Sequence, residues 1–376
     1  TDIFITDMLP EPDQRVKSVM EFEGYNVFKL KQSKDFHQQY IQNTLQLNNG
    51  NGSFSEIAYY SGVEATDWSW SGLLFDMDND GLKDIYITNG INHDLTDLDF
   101  VDFFANEIIQ KMALTGRKES IDSIINKMPV TPLPNYAYRN NGDITFSNYN
   151  KQWGFEIPSR SNGSAYGDLD NDGDLDLVVN NVNMETFVYR NNSETESSNN
   201  YIKLKFEGSD GNRFGIGTIA RLYYPNNIID QTLMPSRGFQ SSVDYPMTIG
   251  LGATTTLDSV RIIWPNDATV KLTNVKANQS ITFVQNEAKE IYKNKKENKP
   301  TILNQIENNT LLTHKENNYM DFDNEGLISR SLAEEGPGLT VGDVNGDGND
   351  DIFIGGGKEQ SGALYLHFLI RMMMET

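Results

Sequence analysis

Short runs of alternating apolar and polar residues, broken by Asn, Gly, Asp and Pro, recur along the chain and predict a mainly β protein. In "NTLQLNNGNGSFSEIAYY" an Asn-Gly turn at Asn51 and Gly52 joins two such runs, and "NYAYRNNGDITFSNY" does the same across Asn141 and Gly142. A further run, "TFVYRNNS", covers 186–193. These runs follow acidic turns that lead into apolar strands: "DMDNDGLKDIYITNG" (76–90), "GDLDNDGDLDLVVNN" (167–181) and, much later, "GDVNGDGNDDIFIGGG" (342–357). One repeat is therefore about four short strands with an acidic turn between the first two, the organisation of a propeller blade.

A partial copy opens the chain. "TDIFITDM" aligns with "KDIYITNG", so that Asp2 takes the place of Asp84 and the chain is expected to start inside a repeat. Successive copies lie 82, 92 and 175 residues apart, an irregularity that insertions explain. Between Asp94 and Pro129, Leu98, Val101, Phe104, Ile108 and Met112 recur near helical spacing as far as Gly116, and Ile121, Ile124, Ile125 and Met128 continue the pattern. Two helices are predicted there, their apolar stripe packing on the β structure or, alternatively, meeting a partner. Residues 199–286 hold strand runs ("YIKLKFEG", "TIARLYYP", "SVRIIWP", "SITFVQ") without an acidic repeat, which predicts a separate small β domain. "EAKEIYKNKKENKP" (287–300) is charged and poor in apolar residues and reads as a linker.

Composition narrows the chemistry. The 376 residues carry a net charge of −22, which argues for cations as partners and against nucleic acid or an anionic membrane surface. With no cysteine, zinc-thiolate sites, disulfides and thiol nucleophiles are excluded. No apolar run reaches the roughly 18 residues a membrane helix needs. The start at Thr1 shows no secretory signal.

The three acidic turns share the form D-x-[DN]-x-D-G-x-x-D. Alternate short carboxylates on a tight turn suit Ca²⁺, which takes six to eight oxygen ligands, and glycine at the sixth position permits the bend. An EF-hand would close with glutamate at position twelve, but Ile87, Val179 and Ile354 stand there, in strand-like runs. The closing carboxylate is expected three positions earlier. The predicted ligands are Asp76, Asp78, Asp80, Asp84 and the Leu82 carbonyl; Asp168, Asp170, Asp172, Asp176 and the Asp174 carbonyl; and Asp343, Asn345, Asp347, Asp351 and the Asn349 carbonyl. Asn345 keeps an oxygen but loses a charge. Three structural Ca²⁺ ions would bring the net charge to −16. A merely solvated Asp/Asn/Gly turn is the bland alternative, and it gives no reason for aspartate at position nine in every copy.

These loops, with "SAYGDLDNDGDLDLVV" and "GLTVGDVNGDGNDDIFIGG" around them, resemble FG-GAP or VCBS repeats, the calcium-loop blades of integrin-α-like propellers. In the middle region "NRFGIGTIARLYY", "RGFQSS", "IGLG", "SVRIIWP" and "NVKANQ" resemble the ASPIC/UnbV domain, with Thr218, Ile249 and Asn266–Asp267 as departures. The order of parts is similar to large secreted or surface proteins of Bacteroidota. The resemblance implies an all-β chain: a partial β-propeller with calcium loops, a small β-sandwich-like ASPIC/UnbV domain and a short helical insertion. It divides the chain into the last blades of one propeller (1–198, insertion about 94–129), the ASPIC/UnbV domain (199–286), the linker and a first, truncated blade of a second propeller (301–376). "HFLIRMMMET" at the end matches nothing expected of a blade.

Other motifs carry less. Gly215, Gly217 and Ala220 have a G-x-G-x-x-A form, but "TIARLYYPNN" behind them reads as a strand, so nucleotide binding is not expected. His37, His93, His314 and His367 are scattered, and no G-x-S-x-G elbow is present. Trp68 and Trp70 alternate on one strand face and suit inter-blade packing, or alternatively a sugar ring. The expected function is a secreted, cell-surface or periplasmic, calcium-stabilised adhesion or binding module for a protein or carbohydrate ligand, without catalysis or membrane insertion. The competing expectation is a catalytic or accessory part in extracellular polysaccharide breakdown.

Overall fold

A computed structural model describes residues 2–21, 23–37, 39–116, 120–209, 211–225, 227–293, 313–316, 319–325, 328, 332–333, 335–357 and 359–366. Residues 294–300 of the expected linker and the terminal "HFLIRMMMET" beyond Leu366 lie outside the described residues. The chain divides into two compact units, 1–294 and 295–376, described in turn.

The first unit begins with three antiparallel sheets. Strands β1 (Ile3–Ile5), β2 (Thr44–Asn48) and β3 (Phe54–Glu56) form the first, and β4 (Ser69–Phe75), β5 (Asp84–Asn89), β6 (Tyr136–Asn140) and β7 (Phe146–Asn148) the second. The third is β8 (Ser161–Gly167), β9 (Asp176–Asn181) and β10 (Phe187–Tyr189). The repeat is exact in register. Ser69 opposes Asn89 and Gly72 opposes Ile87 across a bulge, and 92 residues on Ser161 opposes Asn181 and Ser164 opposes Val179 across the same bulge. Strands β1, β2 and β3 correspond in order to β5, β6 and β7, as the alignment of Asp2 with Asp84 predicts. The sheets stack on one another through their first strands. Phe75 of β4 stacks on Tyr166 of β8 at 4.6 Å, and Leu73, Tyr86, Leu177 and Val179 fill the space between them. The Phe4 ring lies where a β-carbon on Gly72 would come within 2.9 Å of it, so glycine lets the first sheet close on the second. This is propeller-type blade stacking, and among the described residues the sheets form no closed barrel.

Two helices, Asp13–Val19 and Tyr25–Ser33, stand between β1 and β2, where strand alternation gives no sign of them. The insertion between β5 and β6 is helical as expected, but its phase is different. Phe100–Ala105 winds as a π-helix before the α-helix Asn106–Thr115, and a short helix follows at Ile121–Ile125. The wider π-turn rotates the buried face. Phe100 and Ile108 are buried, whereas Val101 and Phe104 of the predicted stripe are exposed.

Residues 200–291 form a two-layer sandwich. One sheet has the order β14 (Met247–Gly252), β11 (Asn200–Glu207), β17 (Gln279–Val284); the other runs β13 (Asn227–Thr232), β12 (Ile219–Tyr224), β15 (Thr256–Ile263), β16 (Ala268–Lys276), β18 (Glu290–Ile291). Inward residues of both layers make one core, Ile202, Leu204, Ile249 and Phe283 meeting Leu222, Val260, Ile262 and Trp264. Gly215 and Gly217 adopt positive φ in a turn that leads into β12, so no helix follows the G-x-G-x-x-A run.

The second unit contains an antiparallel sheet of β19 (Leu339–Gly342), β20 (Asp351–Ile354) and β21 (Ala363–Tyr365), with the third acidic turn between its first two strands. The described residues contain no helix long and apolar enough to cross a membrane.

Candidate metal centre

Each acidic turn joins the first two strands of a blade, and its bend uses two left-handed positions. Asn79 and Gly81 have φ of 57° and 93°, Asn171 and Gly173 65° and 101°, and Gly346 and Gly348 76° and 85°. Asn and Gly are the residues that take this conformation most readily, so position four is as restricted as position six. The ninth-position aspartate then ties the turn shut. Asp84 accepts the N–H groups of Met77 and Asn140, both at 2.9 Å, and Asp176 those of Leu169 (2.9 Å) and Asn191 (2.8 Å). Asp351 accepts the N–H of Val344 at 3.1 Å.

The structure brings some predicted ligands together and directs others elsewhere. Carboxylate oxygens of Asp76, Asp78 and Asp84 lie within 4.8 Å of one another, as do those of Asp168, Asp170 and Asp172. Asp80 and Asp176 stand outside these triads. The N–H groups of Leu82 and Asn349, residues whose carbonyls are the predicted ligands, donate within their turns to Asp80 and Asp347, at 2.8 and 2.9 Å. In the third turn Asp343 accepts the N–H groups of Gly346 and Gly348, and Asn345 donates to Asp347. Among the described residues no three acidic or histidine groups converge there. No histidine joins either triad, and His367 lies outside the described residues.

Basic side chains, which the loop pattern alone does not reveal, offset part of the turns' negative charge. Arg139 bonds Asp78 through Nε and Asp80 through Nη2, both at 2.7 Å. Arg190 meets Asp170 at 2.8 Å and Asp172 at 3.1 Å in the same way. Both arginines sit in a "YRNN" run, the one signal by which sequence could have found them. Lys203, from sandwich strand β11, reaches into the 168–176 turn and bonds Asp168 Oδ2 at 2.8 Å and Asn171 Oδ1 at 3.1 Å. The two acidic turns thus lie against the sandwich: Gly252 donates to the Asn79 carbonyl at 2.9 Å, and Asn199 Nδ2 to that of Asp78 at 2.8 Å. Trp70 belongs to this contact too. It packs on Phe239 of "RGFQSS" with ring centroids 4.7 Å apart and donates to the Gly90 carbonyl, so it joins blade to sandwich and is not inter-blade core.

Asp168 Oδ1 is buried and has no hydrogen-bond partner, although Lys203 holds the other oxygen. An orphaned carboxylate oxygen inside an acidic triad fits a cation, and the all-oxygen donor set fits a hard one. Burial pushes the Asp76 carboxyl up to about 7, with Asp80 and Asp78 adding, against the pull of the Gly81 N–H. Burial likewise pushes Asp84 up to about 8, against the N–H bonds from Asn140 and Met77. A folded-state value above the unfolded one (about 4) means stability that is full below pH 4 and lost as the pH rises through 7 to 8. In chelator the unfolding midpoint should therefore fall across that window, and a flat or rising profile would contradict it.

Residues 208–290 match the family model of the ASPIC and UnbV domain, and residues 37–87 and 127–179 match that of the FG-GAP-like repeat. No curated protein matches the chain. The chain carries FG-GAP-like repeats, typical of extracellular proteins, joined to an ASPIC/UnbV domain, which is the sandwich described above.

Proposed function

We propose that the chain is a calcium-stabilised, extracellular binding or adhesion module, in which cations clip successive blade strands and hold the sandwich against them. The observation that carries this reading is the Asp168–Asp170–Asp172 triad with its buried, unpartnered Asp168 oxygen. In this reading Asp76, Asp78 and Asp84 hold one ion and Asp168, Asp170 and Asp172 another, while Asp343, Asp347 and Asp351 with Asn345 provide a weaker third site. A bound ion neutralises the mutual repulsion of the carboxylates and stabilises the folded state by linkage. Secretion or surface display agrees with the weak affinities, on the order of 10⁻⁴ to 10⁻³ M, that serve where calcium is abundant. The ligand class is protein or carbohydrate. Outside the turns, the buried Asp67 and Asp94 are both engaged by Arg15, which leaves neither carboxylate free for acid catalysis.

Thermal unfolding in EDTA and in millimolar calcium tests the reading. The midpoint should rise by several degrees with calcium and fall back with chelator. Coincident melting curves would sink the clip, and a glycan and protein array run with and without calcium would then be expected to show no cation dependence.

A further inference from the structure

Position seven of the 168–176 turn is Asp174, a place where the repeat pattern asks only for a backbone oxygen. Its side chain is 0% exposed. Oδ2 accepts the N–H of Glu194 at 3.2 Å, and Oδ1 has no hydrogen-bond partner. One carboxylate oxygen each from Asp172, Asp174 and Glu194 lies within 4.8 Å of the other two. Arg190 bridges the outer pair, its Nη2 lying 3.1 Å from both Asp172 Oδ2 and Glu194 Oε1, and among the described residues no ion pair to Asp174 is formed. A fully buried carboxylate with a bare oxygen, flanked by two more carboxylates, is costly unless a positive charge completes it.

We propose that Asp172, Asp174 and Glu194 form a second divalent-cation site beside the 168–176 turn, with Asp172 shared between the two. The donors are all carboxylate oxygens, so the ligand is a hard cation of the Ca²⁺ type. The neighbouring blade provides an internal comparison. Leu82 stands where Asp174 does and has no side-chain oxygen, and Asp143, four residues beyond Arg139 as Glu194 is beyond Arg190, accepts instead the N–H and hydroxyl of Thr145. The neighbouring blade therefore lacks this pocket, which in the third blade ties the turn to the short helix Ser193–Glu196 that precedes the sandwich.

Calcium titration by calorimetry, with terbium luminescence as a second probe, on the whole chain and on Glu194→Gln, Asp174→Asn and Asp170→Asn tests this. Glu194→Gln changes a carboxylate ligand of the new site alone and Asp170→Asn one of the turn site alone, although both release a partner of Arg190, and circular dichroism checks that each variant is folded. Glu194→Gln and Asp174→Asn should each lose one bound equivalent or weaken it by about tenfold or more, the effect of losing roughly 1.4 kcal/mol. Asp170→Asn should retain that equivalent. Loss of an equivalent in Glu194→Gln with none in Asp170→Asn would support this site while overturning the turn site. Titrations of Glu194→Gln and Asp174→Asn that match the parent chain in both probes would overturn the proposal and leave a shared proton on Asp174.

Discussion

Replacing Lys203 with methionine should cost about 3–5 kcal/mol of unfolding free energy in chelator, because it leaves the buried Asp168 charge without its partner. The two side chains are 7% and 1% exposed, so water compensates neither. Methionine keeps the length of the aliphatic stem and its packing while removing the charge. Saturating calcium should shrink the loss, since an ion held by Asp168, Asp170 and Asp172 supplies positive charge to the same carboxylate. Urea midpoints for both proteins, in EDTA and in calcium, form the cycle that checks this. An equal loss in both conditions would show that the lysine and the cation do not share Asp168, and no loss would remove the ion pair itself.

Gly250→Ala should be nearly as damaging, for a steric reason. Gly250 lies in β14, and a β-carbon there would sit 2.1 Å from Asp76 Oδ2 and 2.6 Å from the Asn79 Cα. The second of these is backbone, so rotating a side chain cannot relieve the clash. Either the 76–84 turn or the sandwich strand must move, at a cost of about 1–3 kcal/mol or more. The same shift displaces an Asp76 oxygen from its triad, so calcium affinity at that turn should weaken together with stability. A Gly250→Ala chain with the parent's urea midpoint and calcium titration would mean that the sandwich does not press on the turn.

What could be read from the sequence is what local chemistry determines. The recurrence of Asp, Asn and Gly at fixed offsets specifies a bend whose left-handed positions, Asn79 and Gly81 or Asn171 and Gly173, tolerate few other residues. Period-two alternation likewise marks the strands on either side of it. What a local window does not contain acts across long separations. Arg139 lies 61 residues from Asp78, and Lys203 lies 35 from Asp168, so no short window contains both partners. The phase of the helical insertion departs from the sequence pattern for a different reason: a π-turn at Phe100–Ala105 breaks the 3.6-residue period of the stripe. "IGLG" was visible as a family motif, but its physical reason, a turn lying flush on Gly250 and Gly252, emerges only when the two parts are seen in contact.

The exact register of the blades has a consequence for how such chains diversify. Ile85 pairs with Tyr138 as Leu177 pairs with Tyr189, yet residues 90–135 separate the first pair of strands and only 182–186 the second. The ladder is indifferent to what is spliced into that crossing, since the entropy of closing a loop grows only slowly with its length. Evolution can exchange whole subdomains there without altering a single strand partner, and the same crossing between β5 and β6 offers protein engineers a graft point for displaying foreign sequence on an otherwise fixed frame.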